Sequence, residues 1–202
     1  MLEAMQERQT SIGGVVYPLP TPFMVLATQN PIEEEGTYVL PEAQMDRFLM
    51  KEVLTYPSPA DEADILERVA SGAFERRIKH PPISIRDVMW LQEAVNAVYV
   101  APVIRQYIVA LVGTTRGSGP RPVAGIERHV RVGASPRGAI ALMKVAQSIA
   151  LQDGRGYVTP DDVRLLRHPV LRHRLVLTYD ALADDVAPES IIDAVFQAVP
   201  TP

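Results

Sequence analysis

Apolar residues recur at helical spacing almost throughout from Asp61 to Val199, and before Tyr56 only in short stretches. The first residues, Leu2-Glu3-Ala4-Met5-Gln6-Glu7-Arg8, read as the end of a helix. Thr10-Ser11-Ile12, Gly13-Gly14 and Val15-Val16-Tyr17 predict a tight hairpin, because two glycines supply the positive φ that a two-residue turn needs. Phe23-Met24-Val25-Leu26 is a continuous apolar run. It predicts a parallel strand over residues 23–28, buried on both faces. Glu33-Glu34-Glu35-Gly36 predicts a loop, Pro41 to Leu49 a short helix, and Lys51 to Tyr56 a last strand. Pro57-Ser58-Pro59 marks a boundary. Helices are expected from Asp61 to Gly72, from Ser84 to about Tyr99, from Ala101 to Thr115, from Pro136 to Asp153, from Thr159 to about Arg167 and from Pro188 to Val199. Ser84-Ile85-Arg86-Asp87 is a capping box, and Thr159-Pro160-Asp161-Asp162 combines an N-cap, a first-turn Pro and an acid at the third position.

Composition narrows the class without naming a chemistry. The 202 residues are 47% hydrophobic and 22% charged, which is enough apolar material for a real core. A net charge of -4 argues against a general nucleic-acid binder, whose phosphate affinity needs clustered Lys and Arg. Zero Cys excludes disulfides, thiolate metal sites and Cys nucleophiles, and suits a reducing cytoplasm. No apolar run is long enough to span a bilayer.

Three polar residues stand where their neighbours make them conspicuous. Asn30 closes the apolar run in Ala27-Thr28-Gln29-Asn30-Pro31, and a strand ending on Asn can present an amide at the tip of a parallel sheet, where ligands bind in open α/β folds. Taken alone, Asn30-Pro31 is also an ordinary strand-to-loop turn. Arg47 ends the short helix in Pro41-Glu42-Ala43-Gln44-Met45-Asp46-Arg47-Phe48. The plain alternative for it is a surface Arg paired with Asp46 or Glu42. Arg137 lies in the first turn of the helix opened by Gly133-Ala134-Ser135-Pro136. A cation there is disfavoured by the helix dipole, but a helix start and a guanidinium together suit a phosphate. His129, His168 and His173 are widely spaced and flanked by Arg, so they read as solvated basic faces rather than metal ligands. No G-x-x-x-x-G-K-[ST] loop occurs in these residues, and no acidic strand end precedes residue 20.

The strings Leu-Glu-Ala-Met-Gln-Glu, Ala-Thr-Gln-Asn-Pro, Glu-Gly-Thr-Tyr, Leu-Pro-Glu-Ala-Gln and Asp-Arg-Phe stand in this order, and with them the chain resembles the MoxR family of AAA+ ATPases. The resemblance implies an α/β remnant, a partial parallel sheet with a β-hairpin, over residues 1–57. It implies an all-α helical lid over residues 58–202, within the AAA+ P-loop NTPase superfamily. It makes Asn30 sensor 1, orienting the attacking water or touching the γ-phosphate. Arg47 becomes the arginine finger, aimed at a neighbouring subunit's nucleotide, and Arg137 becomes sensor 2, reaching the nucleotide of its own subunit. The hairpin from Arg8 to Pro20 becomes the pre-sensor-1 hairpin. The implied cofactors are ATP and Mg2+ in a full-length parent, with the 202 residues alone inactive because the Walker A lysine and Walker B carboxylates are absent from them. The implied partners are other copies in a hexameric ring and a client protein of the von Willebrand A type, remodelled or loaded with metal. Two rivals remain at this point: a non-enzymatic helical module that docks a partner, and a motor subunit like that of magnesium chelatase.

Overall fold

A computed structural model describes residues 2–29, 40–73 and 82–202. Asn30 and the acidic loop Glu33-Glu34-Glu35-Gly36 lie outside the described residues.

The chain opens with helix α1 (Leu2–Glu7) and the antiparallel hairpin β1 (Gln9–Ile12) and β2 (Val15–Pro18), paired Ile12 to Val15 across Gly13 and Gly14. Both glycines have positive φ, 60° and 83°, as a two-residue turn requires. Glu3 ties helix to hairpin: its carboxylate accepts from Ser11 Oγ at 2.5 Å and from the Ser11 N–H at 3.1 Å. Those bonds hold the Glu3 carboxyl below its ordinary range.

The expected strands at 23–28 and 51–56 do not form. Residues 23–29 and 51–56 make no ladder, and Leu26 and Leu54 are 85% and 92% exposed. A parallel strand is stable only between neighbours, and neither β1–β2 nor any other described strand lies beside these segments. Between them stands α2 (Glu42–Met45), a single turn that continues into a turn at Asp46 and Arg47.

Helix α3 (Pro59–Ala70) starts on a Ser58–Asp61 capping box and closes at Gly72, whose φ is +66°. Helix α4 (Ile85–Ala97) starts on the Ser84–Asp87 box. Neither helix buries a residue fully. The core begins at Val98. It is built from α5 (Pro102–Thr114), α7 (Pro136–Gln152), α8 (Pro160–Leu165), α9 (Arg167–Leu171) and α11 (Pro188–Ala198). Leu111, Leu142, Val163, Leu171 and Ile192 meet in it with almost no exposure. Helix α7 is the hub, packing against α4, α5, α8 and α9. Its seventeen residues place an apolar stripe on each side it presents to those neighbours.

The helical region is not purely α. After the short helix α6 (Ile126–His129), strand β3 (Val130–Val132) pairs antiparallel with β4 (Val176–Leu177), with a bulge between Val130 and Val132. Helix α10 (Tyr179–Ala183) follows. Periodicity could not announce α6, α9, α10 or the β3–β4 ribbon, because each is only two to five residues long.

Candidate functional site

Two stretches distant in sequence converge on one carboxylate, that of Asp46. The α2 turn delivers it: the Asp46 N–H donates to Glu42 O at 3.0 Å, and the Phe48 N–H to Met45 O at 3.1 Å. Asp46 thereby projects toward the N-terminus of α7. Ser135, the N-cap of that helix, donates its hydroxyl to Asp46 Oδ2 at 2.7 Å and accepts the Arg137 N–H at 3.1 Å. Arg137 Nη1 lies 3.5 Å from the same Oδ2. On the other side Arg174 Nε lies 3.2 Å from Oδ1, an ion pair without hydrogen-bond alignment.

Arg174 is the deepest cation described here, its side chain only 2% exposed. It follows α9 in the 3-10 turn Arg172–Arg174. Its guanidinium donates to Phe48 O at 2.6 Å, to Asp46 O at 3.3 Å, to Leu49 O at 3.2 Å and to Val170 O. Burial pulls this guanidinium below its ordinary value, and the Asp46 charge pulls it back. His173 beside it donates from Nε2 to Phe48 O at 3.1 Å. Burial, then the Arg174 charge, pushes the His173 pKa down to about 4, so the ring is neutral at physiological pH. The Lys51 N–H completes the seam by donating to Pro169 O at 2.9 Å. The backbone from Asp46 to Lys51 is therefore held by side chains and carbonyls of residues 169–174.

The start of α7 is fixed from below as well. Thr115, fully buried at the end of α5, donates its hydroxyl to Val112 O at 2.7 Å and accepts the Ala134 N–H at 3.0 Å. Gly133 passes so close that a Cβ there would lie 2.3 Å from Thr115 O. A Cβ on Gly138 would meet the Arg174 side chain at 3.3 Å. Small residues at these two points let the strand-to-helix crossing and the Arg174 stem lie against each other.

Of the three residues singled out by sequence, Arg47 and Arg137 come to this junction, and Asn30 lies outside the described residues. Arg47 pairs with neither acid expected for it. Its Nη1 donates to Ala43 O within its own turn, and Glu42 instead takes Arg131 at 2.6 Å in an exposed pair. Among the described residues Arg47 Nε has no hydrogen-bond partner. Arg137 is about half exposed, at 49%. A half-exposed guanidinium on the first turn of a seventeen-residue helix suits an anionic phosphate in charge and geometry.

The histidines are not the solvated basic faces that their neighbours suggested. His129 bonds Asp184 at 2.9 Å, His168 bonds Asp193 at 2.8 Å, and His173 is half-buried against Phe48. Sequence reasoning gives no role to Arg174 and no packing role to Thr115 or Gly133. The one available signal was a basic triplet, Arg172-His173-Arg174, between the apolar pairs Val170-Leu171 and Leu175-Val176. A charge embedded in such a run has to find a partner.

A hairpin ahead of an arginine-bearing turn precedes a helical unit whose longest described helix begins with a second Arg, and the comparisons place these two parts in the AAA+ class. A family profile described as "ATPase family associated with various cellular activities (AAA)" matches residues 1–50, and one described as "AAA lid domain" matches residues 124–195. Chaperone MoxR1 of Mycobacterium tuberculosis is 46% identical over 202 residues, all of this chain and 53% of that protein. Protein MoxR of Methylorubrum extorquens is 31% identical over 222 residues, again covering this whole chain and 62% of the relative. The crystal structure of a candidate ATPase from Cytophaga hutchinsonii superimposes with a TM-score of 0.90 at 37% identity, over all of this chain and 61% of that one. The chain belongs to the MoxR family of AAA+ proteins. It spans a little over half the length of the relatives it matches.

Proposed function

We propose that the whole protein is a MoxR-type AAA+ ATPase, acting as a chaperone that remodels or matures a partner protein at the expense of ATP. In this reading residues 1–57 belong to the α/β core and residues 58–202 form the lid. ATP with Mg2+ is the nucleotide, and the working form is a ring of like subunits, a hexamer by the family resemblance. The client is a protein of the von Willebrand A type, and the setting is the cytoplasm. Asn30 is sensor 1, Arg47 the trans-acting finger and Arg137 sensor 2. The observation that carries the reading is the Asp46 junction. It puts the Arg47 turn and the Arg137 helix start on one carboxylate, so a lid cation and a finger share a support. Chaperone MoxR1 of Mycobacterium tuberculosis supports the chaperone role by its likeness over the whole chain.

Subunit mixing in the full-length protein tests the roles. An arginine finger contributes about a thousandfold or more in rate, and it acts on a neighbour. Arg47→Ala subunits and Asn30→Ala subunits should each be nearly inactive alone and should regain phosphate release when mixed, since some interfaces then carry an intact finger facing an intact sensor. Absence of rescue, with subunit exchange demonstrated, would leave Arg47 as no more than the residue that closes its own turn.

A further inference from the structure

Among the described residues, two guanidinium groups, Arg137 and Arg174, meet the one carboxylate of Asp46, while Arg47 on the same turn donates to Ala43 O. His173 is neutral there, and the nearest other acid on the same turn, Glu42, is engaged by Arg131. Among the described residues the junction is therefore short of negative charge. Its two ion pairs differ in kind. Arg174 is buried and bonded to four backbone carbonyls, so it cannot leave without orphaning them. Arg137 is half exposed and 3.5 Å from Asp46, a pair that water and other anions can replace at little cost. Asp46 also lies at the N-terminus of α7, linked through the Ser135 hydroxyl to the Arg137 amide. A carboxylate there fills the place at a helix start that an anion favours.

We propose that Asp46 is a positioning residue: it holds the α7 N-terminus and the Arg137 guanidinium against the Arg47 turn, and it yields Arg137 to an incoming polyphosphate. The proposal rests on the reading of Arg137 as a phosphate contact. Its added content is the coupling. When Arg137 turns to phosphate, the Asp46 carboxylate keeps only Arg174 and Ser135, and so loses one of the three side chains that fix it beside the Arg47 turn. Occupancy of the lid cation is thereby transmitted to the finger through one side chain. The exchange is of ion pairs alone, and no bond is made or broken.

Tripolyphosphate titrated into the 15N-labelled 202-residue chain, at matched ionic strength, tests this by amide NMR. The amides of Asp46 to Phe48 should shift together with those of Ser135 to Gly138, with one concentration dependence. Arg137→Ala should abolish both sets of shifts. Asp46→Asn removes the competing charge and should tighten tripolyphosphate binding about fivefold, the effect of losing a partly exposed ion pair. A merely structural Asp46 would leave that affinity unchanged or weaken it. Binding that depends on Arg137 while residues 46–48 stay unmoved would overturn the coupling and leave Arg137 a phosphate contact. A folded Asp46→Asn chain with unchanged or weaker affinity would do the same. Absence of any Arg137-dependent binding would overturn both the coupling and the reading beneath it. The wild-type and Arg137→Ala arms decide the matter even where Asp46→Asn does not fold.

Discussion

His173 gives the junction a measurable pH signature. Its ring is neutral in the fold because burial and the Arg174 charge oppose protonation, with a pKa pushed from 6.5 down to about 4. The unfolded chain takes up that proton as the pH falls through about 6.5, and the folded chain does not until about 4. More protons are then bound by the unfolded state, so stability falls as the pH drops across this window. The carboxylates held low, Asp162 by Arg155 and Asp193 by Arg167 against the opposing effect of burial, lose their contribution only at lower pH. The urea midpoint should therefore decline from pH 6.5 to 4. His173→Gln, whose amide can still donate to Phe48 O, should flatten the decline. Equal slopes in the two proteins would show that His173 is not the titrating group.

Among the elements, α7 depends on how its N-terminus is seated. The approach of Gly133 to Thr115 leaves no room for a methyl group, since the clash at 2.3 Å is with backbone oxygen. Gly133→Ala should cost about 1–3 kcal/mol, the usual range for overpacking a closed site. Chemical denaturation of the variant chain measures this, and a loss under about 0.5 kcal/mol, typical of a free surface position, would show that the crossing can open. The helix starts were legible in sequence because capping boxes at Ser84 and Thr159 and first-turn prolines at Pro102, Pro136 and Pro188 mark them. The hairpin was legible through Gly13 and Gly14. The apolar runs at residues 23–28 and 51–56 misled, since continuous hydrophobicity specifies a strand only where neighbours exist to pair with it. Arg47 and Arg137 were visible as residues, but their meeting place was not. The carboxylate between them is joined to Arg174 across 128 positions, and no local pattern encodes that distance.

Among the described residues, stability is concentrated toward the C-terminal part. Every described residue of the buried cluster lies between Val98 and Val199, while α3 and α4 contribute no fully buried side chain. Hydrogen exchange should therefore protect the amides of Leu111, Val145 and Val195 most strongly and those of Val25 to Thr28 least, with α3 among the early-exchanging segments. Equal protection of residues 25–28 and the α7 centre would mean that self-association completes a sheet over the exposed strand-like segments. The seam between residues 46–51 and 169–174 also imposes an order on biosynthesis. Arg174 follows Phe48 by 126 positions. At translation rates of about 5 to 20 residues per second, the guanidinium that satisfies the Phe48 and Leu49 carbonyls emerges roughly 6 to 25 s after them. Throughout that interval the Arg47 turn is a nascent segment with its carbonyls open to water and the apolar stretches on either side uncovered. The Arg47 turn gains its anchor only once residue 174 has emerged, and a ribosome stalled before that point would leave the turn without it.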